Sequence, residues 1–400
     1  MQTGANKGKA NRTKKAKGPN QKAGNRKGRK SQLNPELLIQ KAVVSTVKKS
    51  ITVDKRFEDM NLQAQLKANI LKMGFVSPTE IQDKTFDKLM DGGNLIGIAN
   101  TGTGKTGAFL IPVLENMLRG EKEKYTSLIV VPTRELAIQV YDEFKKLSAK
   151  MNLTAACYIG GTNVEKDVRS LKNRFDLIIG TPGRLLDLNQ RGSLKLNQFK
   201  ILVLDEFDKM LDMGFIHDIR KLVGGMKQRK QTLLFSATKD RKQQVVIDEI
   251  VTNPFLVEIH SGDSSSENVD QDVIKVESGQ DKFKLLLDVL SNPEFSKVIL
   301  FTETKHLANR LAKKLNNAGV KADQIHGNKS QNYRVNALKK FKNGSIRVLV
   351  ATDVAARGID IDNVSLVINY QIPNDYDTYI HRVGRTGRAG NTGTAYTFVD

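Results

Sequence analysis

The sequence predicts an α/β protein of two tandem domains, each a mostly parallel sheet flanked by helices, behind a disordered basic N-terminal tail. Three observations lead there. From Asn94 onward the chain repeats a short apolar run, a turn and a helix-period segment, the pattern of βαβ units. That pattern stops at a polar stretch without periodicity, residues 260–272, and then restarts. Residues 1–30 contain no Leu, Ile, Val or Phe, so burial offers nothing to offset the entropy lost on ordering them.

At 400 residues the chain is too long for one core, because domains run to roughly 100–200 residues. An apolar fraction of 39% and a mean hydropathy of −0.39 describe ordinary core material. The expected divisions are a basic extension over residues 1–50, disordered to residue 31, a first domain over 51–259, a linker over 260–272 and a second domain over 273–400.

Within the first domain, strands are expected at Leu95–Ile98, Ser127–Val131, Ala155–Ile159, Asp176–Ile179, Ile201–Leu204 and Thr232–Phe235, with helices over Gly107–Met117 and Glu135–Leu147. In the second, strands are expected at Lys297–Phe301, Ser345–Val350 and Leu366–Tyr370, and a last one within Asn391–Asp400. Helices over Lys305–Asn316 and Gln331–Phe341 separate them. Uninterrupted apolar runs of this length suit strands covered on both faces.

Several classes are excluded. A single cysteine, Cys157, forms no internal disulfide and lies in the run Thr154–Ile159, which reads as a small buried hydrophobe. The apolar runs fall far short of the roughly 18 residues of a membrane span. The basic N-terminus lacks the apolar core of a secretory or transit peptide, so an intracellular, cytoplasmic protein is expected.

The net charge of +21 points to a polyanion, but it is uneven. Residues 1–50 carry 14 Lys or Arg against Glu36 alone, so +13 of the total sits in the extension and +8 in the remainder. A flexible basic arm of this kind binds phosphates without reading sequence and raises local substrate concentration.

After the strand Leu95–Ile98 comes Ala99-Asn-Thr-Gly-Thr-Gly-Lys-Thr106, which opens a helix. This is the spacing of a nucleotide phosphate loop, with Ala99 where the simplest pattern has Gly. Gly102 and Gly104 let backbone amides turn toward phosphate oxygens beside Thr101 and Thr103, Lys105 reaches the outer phosphates, and Thr106 offers a hydroxyl to Mg²⁺. Ile201–Leu204 runs straight into Asp205-Glu-Phe-Asp208. Asp205 is placed to hold magnesium, through a water in most such sites, and Glu206 to polarise the attacking water.

With these residues in place the chain resembles a DEAD-box RNA helicase of superfamily 2, over roughly Phe57 to the C-terminus, which implies two RecA-like domains. Gly74-Phe75-x-x-Pro78-Thr79-x-Ile81-Gln82 resembles the family's Q motif. The resemblance implies that Gln82 reads the adenine edge and that Phe57 stacks on it, hence ATP; one amide can donate and accept at once. Pro132-Thr-Arg-Glu-Leu-Ala137, Gly160-Gly161 and Thr181-Pro-Gly-Arg184 match the motifs that grip one RNA strand by its phosphates. Arg134 and Arg184 are expected to supply charge there, and Gly160, Gly161, Thr181 and Gly183 backbone contacts. Taken singly, each of these is what an ordinary turn supplies. By the same resemblance Asp208, Ser236 and Thr238 couple the ATP site to domain closure.

The second domain carries His326-Gly327, Gln331-x-x-Arg334, Ala351–Asp360 and His381-Arg-Val-Gly-Arg-Thr-Gly-Arg388. Charge developing on the γ-phosphoryl group calls for a cation that arrives on closure, and Arg385 and Arg388 suit that arginine-finger role. The resemblance implies that His381 and Arg382 tie this motif to the acids of the first domain, that Asp360 contacts the ribose, and that Gly327, Arg334 and Thr352 contact RNA. It also implies ATP and Mg²⁺ as cofactors, RNA as partner, a monomer, and no membrane.

Two departures stand out. Phe207 replaces the small Ala of the eponymous motif, giving Asp-Glu-Phe-Asp, which leaves both acidic roles and bears on coupling. Family members usually continue past the final strand, so a chain truncated there is the expectation. Two further readings share the nucleotide motifs. A non-unwinding ATP-gated RNA clamp has identical motifs; a P-loop kinase or transporter ATPase predicts no second-domain arginine motif.

Overall fold

Strands four to seven residues long, most of them aliphatic in the sheet interiors, build two sheets. The computed structural model describes residues 33–42, 55–100, 102–120, 127–239, 241–259, 268–356, 364–387 and 392–400. The expectation of disorder to residue 31 lies outside the described residues, and residues 33–400 pack as one unit.

The first sheet holds β1 (Leu95–Ile98), β2 (Ser127–Val130), β3 (Ala155–Tyr158), β4 (Leu177–Gly180), β5 (Ile201–Leu204), β6 (Gln231–Ser236) and β7 (Phe255–Glu258), in the order β3-β4-β2-β5-β6-β1-β7. The second holds β8 (Val269–Lys275), β9 (Val298–Phe301), β10 (Ala322–Ile325), β11 (Val348–Ala351), β12 (Leu366–Asn369) and β13 (Gly393–Val399), in the order β10-β11-β9-β12-β13-β8. Every pairing between these strands is parallel.

Parallel strands need helical crossovers, and these cover both faces of each sheet. Alternate residues of one strand therefore enter opposite cores: Leu95 and Ile129 join one cluster with Phe109 and Phe235, while Ile96 and Val130 join another with Phe199 and Phe207. The second sheet divides likewise, Ile299 and Val367 on one side and Leu300 and Ile368 on the other. No helix among the described residues is long and apolar enough to cross a membrane.

Strand order positions the chemistry. In open α/β sheets ligands meet the loops at the carboxyl ends of strands. Because β5, β6 and β1 are neighbours, the phosphate loop after β1, the acids after β5 and Ser236 at the end of β6 converge. The loops after β3, β4 and β2, which carry Gly160-Gly161, Thr181–Arg184 and Arg134, gather at the other half of the same edge.

Two boundaries differ from expectation. The final four residues of the stretch expected as linker belong to β8, whose register pairs Val269 with Gly393 through Lys275 with Val399. Their polarity misleads because β8 is an edge strand, and only Val269 and Gln271 of those four are buried. The described part of the extension is also built into the second domain. Pro35–Leu38 forms a 3₁₀ turn capped by Asn34, and Leu38 is 0% exposed inside the core of Val269, Tyr379 and Val383. Burying a leucine fully is worth about 1.5–3 kcal/mol.

Candidate active site

The phosphate loop is shaped by two left-handed glycines, Gly102 at φ +90° and Gly104 at φ +92°, which an L side chain rarely adopts. The helix Lys105–Arg119 starts directly behind them. A Cβ on Gly104 would meet Thr79 Oγ1 at 2.6 Å and Gln82 Nε2 at 2.8 Å, and one on Gly107 would meet Gln82 Nε2 at 2.5 Å. The glycines thus let the segment around Gln82 close over the loop. Gln82 Nε2 donates to the Gly104 carbonyl (3.0 Å), and Gln82 Oε1 accepts from the Thr79 N–H (2.9 Å). Each end of that amide retains one free hydrogen-bonding position.

A cavity of about 370 Å³ opens here, lined by Phe75, Gln82, Lys105, Thr106, Asp205 and Glu206 of the first domain and by Arg385 of the second. Lys105 is buried and its ammonium donates to the Ala99 carbonyl at 2.5 Å. Asp205 is buried at the end of β5, and burial raises its carboxyl to about 6. Glu206 takes φ +53°, ψ +50°, a left-handed conformation rare for a non-glycine residue, of the strained kind that clusters at functional sites. It caps the helix Phe207–Asp212 and ion-pairs with buried Lys209 at 2.5 Å, while its Oε2 is buried with no hydrogen-bond partner. Burial acts to raise the Glu206 carboxyl, but Lys209, Lys105 and Arg385 outweigh it and hold it below the ordinary range. The same burial lowers the Lys209 ammonium.

The acids connect to β6. Asp208 Oδ2 accepts from the Ala237 N–H (3.2 Å) and the Thr238 hydroxyl (3.4 Å), and the Asp208 N–H donates to Ser236 Oγ (3.3 Å). The Ser236 carbonyl in turn accepts from the Ala99 N–H at 3.0 Å, the first residue of the phosphate loop. The Phe207 ring is fully buried in a cluster with Leu204 and Leu234, and all these contacts coexist with it.

Several site residues stand where the sequence does not place them. Phe57 is 1% exposed, its ring in the core of the first domain; the aromatic ring lining the cavity is that of Phe75, 37% exposed. Among the described residues, Arg382 finds its partners in its own domain. It forms a two-pronged pair with Asp353 of its own domain (2.6 and 2.8 Å), donates to Asn369 Oδ1 and lies over the Phe301 ring. Arg385 Nε donates to the His381 carbonyl at 3.3 Å. Thr101, Asp360 and Arg388 lie outside the described residues. Thr103 Oγ1 donates to the Asn100 carbonyl (2.8 Å), closing the loop on itself.

On the other half of the edge, the Arg134 guanidinium covers the glycine pair: a Cβ on Gly161, at φ +81°, would fall on Arg134 Nη1 and within 2.8 Å of Cζ. Thr181 Oγ1 accepts from the Gly160 N–H at 3.4 Å. Gly183 of the first domain and Gly327 of the second are exposed with nothing near a would-be Cβ, and Thr352, partly exposed, donates its N–H to the Ile325 carbonyl (3.3 Å), two residues before Gly327. Arg184 is instead buried and spent on Asp167 and on Thr162 Oγ1 (3.0 Å) and carbonyl (2.8 Å), so it holds the turn rather than offering a free charge. Arg334 pairs with Glu135 of the first domain at 3.0 Å, beside Gln331, whose Nε2 donates to Glu135 Oε1 at 2.9 Å.

Sequence reasoning missed Lys209 and Glu135. For Lys209 a signal existed, since it lies three residues after Glu206, one helical turn on. Cys157 is half-buried rather than buried, and burial pushes its thiol up to about 12.

A phosphate loop and an acidic strand end in one domain, faced by an arginine of another, define a two-domain P-loop nucleotide-binding protein. Known proteins carry the assignment further. The DEAD/DEAH box helicase profile matches residues 79–246, and that of the helicase conserved C-terminal domain matches residues 281–390. The DEAD-box ATP-dependent RNA helicase CshA of Geobacillus kaustophilus is 42% identical over 343 residues, which are 86% of this chain and 73% of that one. The structure of S. cerevisiae Dbp5 bound to RNA and ADP BeF3 is similar at a TM-score of 0.76 and 32% identity, over 86% of this chain and 89% of that one. A Dbp5 variant with protein partners and ADP reaches only 0.59, at 30% identity over 84% and 88%. The chain belongs to the DEAD/DEAH box helicase family.

Proposed function

We propose that this protein is an ATP-dependent RNA helicase in which ATP closes the two domains on single-stranded RNA, separating short duplexes or remodelling ribonucleoproteins, and hydrolysis to ADP and phosphate resets it. The observation that carries the reading is the cavity lined at once by Lys105, Thr106, Asp205 and Glu206 from one domain and Arg385 from the other. The higher similarity to the RNA-bound than to the ADP-bound form of Dbp5 supports a closed arrangement of the domains.

In this reading Gln82 selects adenine with its remaining donor and acceptor, Phe75 supplies the ring beside it, and Lys105 leaves the Ala99 carbonyl to take the outer phosphates. Glu206, held ionised by Lys209, accepts the proton of the attacking water, and Arg385 meets the charge developing on the γ-phosphoryl group. The Thr106 hydroxyl and the Asp205 carboxylate are hard oxygen donors beside the phosphate site and fit a magnesium ion, which would neutralise phosphate charge there. Arg134 and the amides around Gly160, Gly161, Thr181 and Gly183, with Gly327 and Thr352 opposite, hold the RNA backbone without reading sequence. Closure is then a coupling free energy: RNA strengthens ATP binding as much as ATP strengthens RNA binding. The proposal includes a cytoplasmic location and a monomeric working form, consistent with one chain supplying both halves of the site.

A strand-displacement assay on short RNA duplexes tests it. ATP-dependent release of a labelled strand is expected; RNA retained stably with ATP and never released as a separated strand would instead make the protein a clamp.

A further inference from the structure

We propose that residues 33–42 are a strap, docked in cis on the second domain, that joins the two domains a second time and biases them toward closure. The segment precedes the first domain in the chain yet contacts the second. Leu38 fills a pocket of that domain's core against Val269 and Tyr379. Gln40 and Gln271 exchange backbone bonds across the open edge of β8, N–H to carbonyl at 3.0 and 2.7 Å. The Gln271 side chain repeats the link, its Nε2 donating to Gln40 Oε1 at 3.2 Å. The Tyr379 hydroxyl lies within hydrogen-bond distance of the Leu38 carbonyl (3.2 Å) and of Gln271 Oε1 (2.8 Å), and the Ala42 N–H donates to Asp270 Oδ1 at 3.1 Å. Both hydrogen-bonding groups of Gln271 are matched, Leu38 is fully buried, and the contacts combine apolar, backbone and side-chain recognition. β8 is the last strand of its sheet, and an uncovered edge invites pairing with foreign strands; here the chain's own strap covers it.

The consequence follows from connectivity. Twelve residues join Ala42 to Lys55 and eight join Ile259 to Asn268, which at about 3.4 Å per residue limits the two connections to roughly 45 and 30 Å. A domain held at one point samples most orientations, whereas one held at two points by short tethers samples few. The strap therefore raises the effective concentration of the Arg385 face over the phosphate loop and leaves less freedom to be lost on closure. This effect rests on the closure reading above, but the docking does not.

The test uses the full chain with Leu38→Asp and, as a milder change that keeps the ring, Tyr379→Phe. Hydrogen exchange over residues 268–275 reads docking: the Gln271 amide should be protected in the parent, and exchange at least tenfold faster in Leu38→Asp, with Tyr379→Phe between them. In RNA-stimulated ATPase, both variants should need several-fold more RNA for half-maximal turnover, with the saturated rate within twofold of the parent. Unchanged exchange at Gln271 in Leu38→Asp overturns the docking, and protection that falls on dilution assigns the strap to a second copy and overturns the cis arrangement. Lost protection with unaltered half-saturation overturns the bias toward closure. A parent without RNA-stimulated ATPase sinks the helicase reading instead, while the exchange result still judges the docking.

Discussion

Arg334 of the second domain stands 3.0 Å from Glu135 of the first, and both side chains are buried. Glu135 follows Arg134, which covers the Gly160-Gly161 turn, so the residue that bridges the domains is the neighbour of the residue expected to meet RNA. In the proposed mechanism this adjacency links RNA engagement to domain closure through two consecutive residues of one helix.

Removing one partner of a buried pair leaves an uncompensated charge, at a cost of about 3–5 kcal/mol. In this protein the cost falls on the closed state, because opening returns the remaining charge to water. Glu135→Ala and Arg334→Ala should each reduce RNA-stimulated ATPase at subsaturating RNA at least tenfold and leave ATP binding within about twofold. The double variant should be little worse than either single one, giving a coupling energy above about 1 kcal/mol in a double-mutant cycle.

The pair of Lys209 and Glu206 makes a stability prediction of the same kind. Lys209→Met should lower the thermal midpoint by destabilising the fold about 3–5 kcal/mol, since Glu206 would remain charged among buried neighbours. Adding Glu206→Gln should restore most of that loss while eliminating hydrolysis, and it should trap RNA in the presence of ATP. Calorimetry of the two variants decides the first point and filter binding the second.

Two glycines separate space from conformation. Gly161→Ala introduces a methyl at a left-handed position and onto the Arg134 guanidinium, so RNA affinity should fall about tenfold with stability reduced by about 1 kcal/mol or more. Gly183 has open space and sits in the first turn of the helix Pro182–Gln190. There alanine should leave stability equal or raise it by up to about 1 kcal/mol and still weaken RNA binding, because the methyl occupies the approach to the backbone amides. Anisotropy titration alongside thermal melts distinguishes the two.

The thiol of Cys157, pushed up to about 12 by burial, should be nearly inert. At pH 8 only about 10⁻⁴ of it is thiolate, so alkylation in the native protein should run roughly a thousandfold slower than for a free cysteine. Rapid labelling by iodoacetamide would contradict the packing of β3.

What the sequence makes legible follows from where each residue lies. Interior strands such as β4 and β5, Leu-Ile-Ile-Gly and Ile-Leu-Val-Leu, carry no polar side chain because helices cover both their faces. β7, β8 and β10 each include charged or polar residues, as Phe-Leu-Val-Glu, Val-Asp-Gln-Asp-Val-Ile-Lys and Ala-Asp-Gln-Ile show. All three are edge strands, where half the environment is solvent or, for β8, the strap. The phosphate loop and the acids after β5 are readable because their chemistry depends on spacing along the chain. Arg184, Arg334 and Arg382 look like free charges in sequence, and only the fold pairs them with Asp167, Glu135 and Asp353. Leu38 shows the same limit: it sits in a basic extension, and nothing in its neighbours points to a pocket 231 positions further on, at Val269.

One active site assembled from two domains depends on Arg385 of the second. In the Arg385→Ala variant, ATP affinity measured with a fluorescent nucleotide should stay within about threefold of the parent while RNA-stimulated turnover falls by 10³ or more, the range of an arginine finger. Turnover equal to that of the parent would instead show that the first domain completes the chemistry alone.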